Sequence, residues 1–148
     1  MRFSQKTEYA LRALLELGAA PVSGPISARE IARSQRIPVR FLEQVLAELR
    51  RGGLITSQRG ASGGAVLARD PETITVGEVI DLLEGPVVGQ ACLDPFADQG
   101  RAVAHSAVQE LWLDLQITIR ERLAGVTIAD LVRRQAELDR SSYLAFQI

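Results

Sequence analysis

The chain has 148 residues, 47% of them hydrophobic and 24% charged, enough apolar material for one packed core and too little charge for a disordered segment. A single cysteine excludes an internal disulfide and fits a reducing compartment. The formal net charge of −1 hides an asymmetry: residues 1–70 hold 11 basic and 6 acidic side chains, and residues 71–148 hold 6 and 12.

The first predicted helix covers about residues 4–17, with Tyr9, Ala10, Ala13, Leu14 and Leu17 inward and Gly18 as its stop. Arg12 and Glu16 interrupt the apolar run of residues 10–20, so it is not a secretory leader core. No stretch approaches the roughly 18 uncharged apolar residues of a membrane span. The protein is expected to be cytoplasmic, with no membrane partner.

Ser27 and Glu30 form an S-x-x-E capping box that opens a short helix with Ile31 and Ala32 as its apolar contacts. Pro38 disfavours a helical backbone at Ile37, so the chain turns there and a second helix follows, from Phe41 to Arg51. At about 100° per residue, Phe41, Leu42, Val45, Leu46 and Leu49 share one arc, while Arg40, Glu43, Gln44, Ala47 and Arg51 take the other. That outer face carries the small, hydrogen-bonding and cationic residues that read base edges and hold phosphates. Gly52 is expected to end the helix in a left-handed conformation.

Taken alone, such a helix could equally be a solvated surface. The residues after it decide otherwise. Leu54–Ser57 and Ala65–Ala68 read as two short strands around Gln58-Arg59-Gly60-Ala61-Ser62-Gly63-Gly64. A glycine-rich hairpin tip with one arginine can lay a guanidinium in a narrow minor groove. Seven arginines lie between positions 29 and 59, and of the 17 basic residues only Lys6 is lysine. Arginine grips phosphate and guanine with a rigid planar fork that lysine lacks.

Thr75 and Glu78 form a second capping box, before a helix with Val79, Ile80, Leu82 and Leu83 that ends at Gly85-Pro86. Residues 86–100 read as a loop holding Cys92. The longest helix runs from Arg101 to about Leu123, with Val108, Leu111, Trp112, Leu115, Ile119 and Leu123 as a stripe and Gly125 as its stop. Thr127 caps a last helix with Ile128, Leu131, Val132 and Leu138 apolar. A helix this apolar needs more cover than one small domain offers, and the same helix of a second copy supplies it. The competing arrangement is a helical hairpin with residues 128–140.

Gly60-Ala61-Ser62-Gly63-Gly64 also satisfies the G-x-S-x-G pattern of a hydrolase nucleophile elbow, with Asp94 or Asp98 and then His105 in the hydrolase order. An elbow needs a strand before it and a helix after it. Strand-like residues flank this one on both sides, so hydrolysis is excluded and no enzyme is expected.

Together these residues resemble the Rrf2 family of bacterial winged-helix regulators, which includes iron–sulfur, nitric-oxide and cysteine-metabolism regulators. The resemblance spans the chain and is carried by Tyr9-Ala10-Leu11-Arg12-Ala13-Leu14, Phe41-Leu42-Glu43-Gln44-Val45-Leu46, Gly53-Leu54-Ile55-Thr56-Ser57, Arg59-Gly60 with Gly63-Gly64, Ile74 through Ile80, and Thr127 through Val132. It implies that the helix around residues 40–51 enters the major groove, with Glu43 and Gln44 at the bases. It further implies that Arg59 enters the minor groove and that the helix of residues 101–123 builds a dimer.

The resemblance departs in the loop. Cluster-binding members place three cysteines there, and Cys92 matches the first, while Asp98 and Ala104 stand where some members have the others. No resident cofactor is expected. The alternative, an iron–sulfur cluster, would draw on Cys92, His105 and Glu8 of the partner subunit.

The expected fold is mainly α: a winged helix-turn-helix over residues 1–85, a sensor loop over 86–100, and a dimerisation helix with a C-terminal helix over 101–148. The expected function is a homodimeric transcription regulator, a repressor, bound to a pseudo-palindromic double-stranded DNA operator and responsive to redox state or an iron–sulfur cluster. The DNA surface is assigned to Arg29, Arg40, Glu43, Gln44, Arg51, Arg59 and Gly60, and the dimer seam to Val108, Leu111, Trp112, Leu115 and Ile119. The alternative is a winged-helix module that binds protein instead of DNA, which would more naturally carry apolar groups on the outer face of residues 40–51.

Overall fold

A computed structural model describes residues 3–20, 24–60, 63–85 and 107–145 of the chain. The elements run α1 (Gln5–Ala19), α2 (Ala28–Gln35), α3 (Val39–Arg51), β1 (Ile55–Gln58), β2 (Gly64–Leu67), a 3-10 turn (Pro71–Thr73), α4 (Val76–Glu84), α5 (Ala107–Ala124) and α6 (Ile128–Ala145). The strands pair antiparallel in the register Ile55 to Leu67 and Gln58 to Gly64. This is a winged helix-turn-helix, mainly helical as the sequence predicts.

α1 is the central post. Ala10, Ala13 and Leu14 are wholly buried, and α2, α3, α4 and α6 pack around the helix. The core continues through Ile31 of α2, Leu42, Val45 and Leu49 of α3, Leu54, Ile55, Ile74, Val79 and Ile128. Polar ties fix the angles. Lys6 Nζ lies 3.1 Å from Glu48 Oε2, joining α1 to α3. Arg12 donates to the Gln35 carbonyl and, at 3.3 Å, to its side-chain oxygen, while Glu16 accepts from Ser34 at 2.9 Å and Gln35 at 2.6 Å. These bonds lock the end of α2 onto α1.

The predicted caps form. Ser27 and Glu30 make the reciprocal box, and Thr127 accepts from the Asp130 N–H while the Asp130 carboxylate accepts from the Thr127 N–H at 2.9 Å. Thr75 caps α4 through the Glu78 N–H at 3.1 Å, but the Glu78 carboxylate pairs with Arg69. Thr7, fully buried, donates at 2.5 Å to Glu84, which also accepts from the N–H and hydroxyl of Ser4.

Two glycine assignments are corrected. Gly18 lies inside α1, which continues to Ala19; a Cβ there would meet Val132 at 3.1 Å and Ile128 at 3.2 Å, so the glycine lets α6 approach. Gly52 has φ −77°, and the left-handed residue is Gly53 at φ +72°. A side chain at Gly52 would strike Leu82 of α4, so close approach explains that glycine.

The sequence reading also missed Ile26, which bridges Ala65 antiparallel with N–H···O bonds of 3.0 and 2.8 Å and adds a short third edge to the hairpin. An isolated apolar residue before a cap carries no strand periodicity.

α6 packs on α1 and the 3-10 turn, and α5 packs on α4. The corner between α5 and α6 is pinned to the start of α4: the Val76 N–H donates to Val126 O at 2.8 Å and the Ile128 N–H to Ile74 O at 2.9 Å. The predicted sensor loop and the first turn of the long helix, residues 86–106, lie outside the described residues.

Candidate nucleic-acid interface

α3 buries Leu42, Val45, Leu46 and Leu49 and leaves Arg40, Glu43, Gln44, Arg50 and Arg51 exposed on the other side. Phe41, expected on the apolar arc, sits at its rim, 37% exposed, with its ring edge-on to Tyr9 at 5.5 Å. Glu48 is drawn inward by Lys6, so Glu43 is the remaining acidic group on the helix. Arg29 is exposed in the first turn of α2, and Arg59 and Gly60 are exposed directly after β1.

Arg50 was absent from the predicted set. It falls two turns after Glu43 on the same side, so the periodicity did contain it. With Ala28, Leu46, Ser57, Gln58, Gly64 and Ala65 it lines a cleft of about 190 Å³ between α3 and the hairpin.

The pairing of the cations separates two populations. Lys6, Arg12, Arg69, Arg120, Arg133, Arg134 and Arg140 each bond to a carboxylate, amide or backbone carbonyl. Arg33 interacts with Glu30 one turn before it. Arg29, Arg36, Arg40, Arg50, Arg51, Arg59 and Arg122 have no partner among the described residues. All but Arg122 lie on α2, α3, the turn between them and the hairpin. A protein normally pairs a guanidinium that it uses for its own folding. This set is spare charge on one module.

α5 carries spare apolar surface. On α5 Val108 is 60% exposed, Leu111 and Trp112 54%, and Leu115 41%. Ile119 and Leu123 of the predicted stripe are half-buried, on the helix that packs against α4. Of the predicted sensor residues, Glu8 is exposed on the first turn of α1, and Cys92 and His105 lie outside the described residues. Among the described residues no three His, Cys, Asp or Glu side chains gather as a metal site, and no helix is long and apolar enough to cross a membrane.

Comparison with known proteins agrees with this geometry. The family described as Rrf2, iron-dependent transcriptional regulator, matches residues 3–134. The chain belongs to the Rrf2 family. It is 35% identical over 131 residues to the transcriptional regulator CymR of Bacillus subtilis, covering 88% of this chain and 89% of the relative. It is 34% identical over 141 residues to IscR of Escherichia coli, covering 94% and 85%. The solved structure of CymR, described as the global cysteine regulator of B. subtilis, superposes with a TM-score of 0.78 at 33% identity, over 90% of this chain and 98% of that one. Like other Rrf2 proteins the chain is a helix-turn-helix transcription regulator, and not an enzyme.

Proposed function

We propose that this Rrf2 protein is a cytoplasmic repressor that binds a pseudo-palindromic operator as a homodimer. Residues 1–85 act as the reading unit, residues 86–100 as the sensor loop and residues 101–148 as the dimer-forming part. In this reading the outer face of α3 enters the major groove with Glu43 and Gln44 against base edges. Arg29, Arg40 and Arg51 hold phosphates, and Arg59, freed by the turn at Gly60, enters the adjacent minor groove. Val108, Leu111, Trp112, Leu115 and Ile119 form the two-fold seam, which sets two reading helices about one DNA turn apart. The observation that carries the reading is the gathering of six arginines, without a partner among the described residues, on α2, α3, the turn between them and the hairpin.

Selection of bound duplexes from a random pool tests it. The expected result is enrichment of an inverted repeat. Recovery of unrelated sequences, at the level of a blank resin, would overturn it.

The signal is assigned to Cys92, the only thiol. Oxidation to a sulfenic acid or mixed disulfide would alter the segment leading into α5. No resident cofactor is proposed. An iron–sulfur cluster takes about four protein ligands, mostly thiolates. One cysteine, with Glu8 of the partner subunit and His105, falls short of that set. Operator binding of wild type should change with peroxide and that of Cys92→Ser should not. An equal response in both removes Cys92 from the switch.

A further inference from the structure

Arg36 ends α2 in the left-handed region, at φ 53° and ψ 46°. Among the described residues it is the only one other than glycine with positive φ. That backbone is unfavourable for any residue bearing a Cβ, and glycine is its ordinary occupant after a helix. The turn itself makes no use of the guanidinium. Its bonds are backbone to backbone: the Ile37 N–H donates to Ala32 O at 2.9 Å and the Arg36 N–H to Arg33 O at 3.4 Å. Glycine would make them equally well.

What holds Arg36 in this conformation comes from its surroundings. Arg12 grips the Gln35 carbonyl immediately before it, Glu16 grips the Gln35 side chain, and Ile37 immediately after it is buried. A strained residue persists where neighbours over-determine it in this way. The Arg36 side chain is exposed and has no partner among the described residues. An unfavourable backbone with no compensating side-chain contact among the described residues points to a role outside the chain.

We infer that Arg36 is a DNA phosphate contact, held at the turn between α2 and α3 at a cost in conformational energy. The inference rests on the DNA-binding reading above and adds a residue off the base-reading face. A phosphate contact fixes the position of the reading helix and carries no sequence information.

The opposed effects on stability and binding make it testable without the operator. Arg36→Gly, Arg36→Asn and Arg36→Lys are titrated against a random-sequence duplex by fluorescence anisotropy at several salt concentrations, with melting curves in parallel. Glycine and asparagine both tolerate the left-handed region. Both variants should therefore melt at or above the wild-type temperature, yet bind about 3–10-fold more weakly. The slope of log affinity against log salt should flatten by about 0.9 per subunit, while lysine retains it. Wild-type affinity and slope in the glycine and asparagine variants would overturn the inference, as would a lowered melting temperature with an unchanged slope. In either case a steep wild-type slope would leave the DNA-binding reading standing. A wild type with no salt-dependent binding would sink both.

Discussion

Lys6 donates to Glu48 across 3.1 Å, and this one half-exposed ion pair joins the only lysine of the chain to the second acidic residue of α3. The exposed polar side chains of α3 are Glu43, Gln44 and arginines. An exposed ion pair contributes little to stability, about 0–1 kcal/mol, so its larger consequence is the charge pattern it leaves behind.

That pattern gives the first prediction. Arg59→Ala should weaken operator binding by roughly 1–3 kcal/mol, with the loss concentrated where A·T-rich sequence narrows the minor groove. Glu43→Ala should instead relax base discrimination, because a carboxylate accepts from cytosine N4 and rejects other edges. Affinities on the operator and single-base variants would check both. Equal losses on operator and random DNA for Glu43→Ala would take Glu43 out of the base-reading role.

Assembly gives the second. Leu115 is 41% exposed in the single chain, beside Leu111 and Trp112. If this stripe is the seam, Leu115→Glu buries an unpaired carboxylate there, at a cost of about 3–5 kcal/mol. Sedimentation should then report monomers with weak DNA binding. An unchanged dimer would refute the placement of the seam.

The third concerns the contact of α1 with α6. A Cβ at Gly18 already meets Val132 at 3.1 Å, so Gly18→Val should overpack the joint and cost about 1–3 kcal/mol. Urea denaturation measures this directly. Wild-type stability would mean that Gly18 is not needed for the approach of α6.

Acid stability gives the fourth. The Thr127 N–H, then the Arg133 guanidinium and the Thr127 hydroxyl, hold the Asp130 carboxyl down from its ordinary 3.8 to about 2. The hydroxyl of Ser4, the hydroxyl of Thr7 and the Ser4 N–H similarly lower Glu84 from 4.5. A lowered folded-state pKa contributes stability that is present above the ordinary value and lost as pH falls through the folded one. The urea midpoint should therefore decline between pH 4.5 and about 2. Asp130→Asn should flatten that decline, and an identical profile in the variant would remove Asp130 as a contributor.

Much of this was legible in the sequence because the signals were local. Ser27 with Glu30, and the arc of Leu42, Val45, Leu46 and Leu49, depend on residues three or four apart, and the structure keeps them. Gly18 and Gly52 were misread because their reasons are distant in sequence: Val132 for one and Leu82 for the other. A glycine near a helix end reads locally as a stop whether it terminates the helix or admits a neighbour. Ile26 pairs with Ala65, and a single bridging residue leaves no alternation to detect. The candidate surface was legible as an excess of arginine. Which arginines are spare was not, since Arg12 and Arg69 look like the others until their partners Gln35 and Glu78 fold against them.

The central claim is that the partnerless arginines of α2, α3 and the hairpin are there to meet DNA. The most direct test is the affinity of the wild-type protein for duplex DNA across a salt series. Neutralising 6–10 phosphates should make affinity fall by about 10³–10⁵ between 50 and 200 mM salt. Affinity that does not change over that interval, or no binding at its low-salt end, would contradict the account.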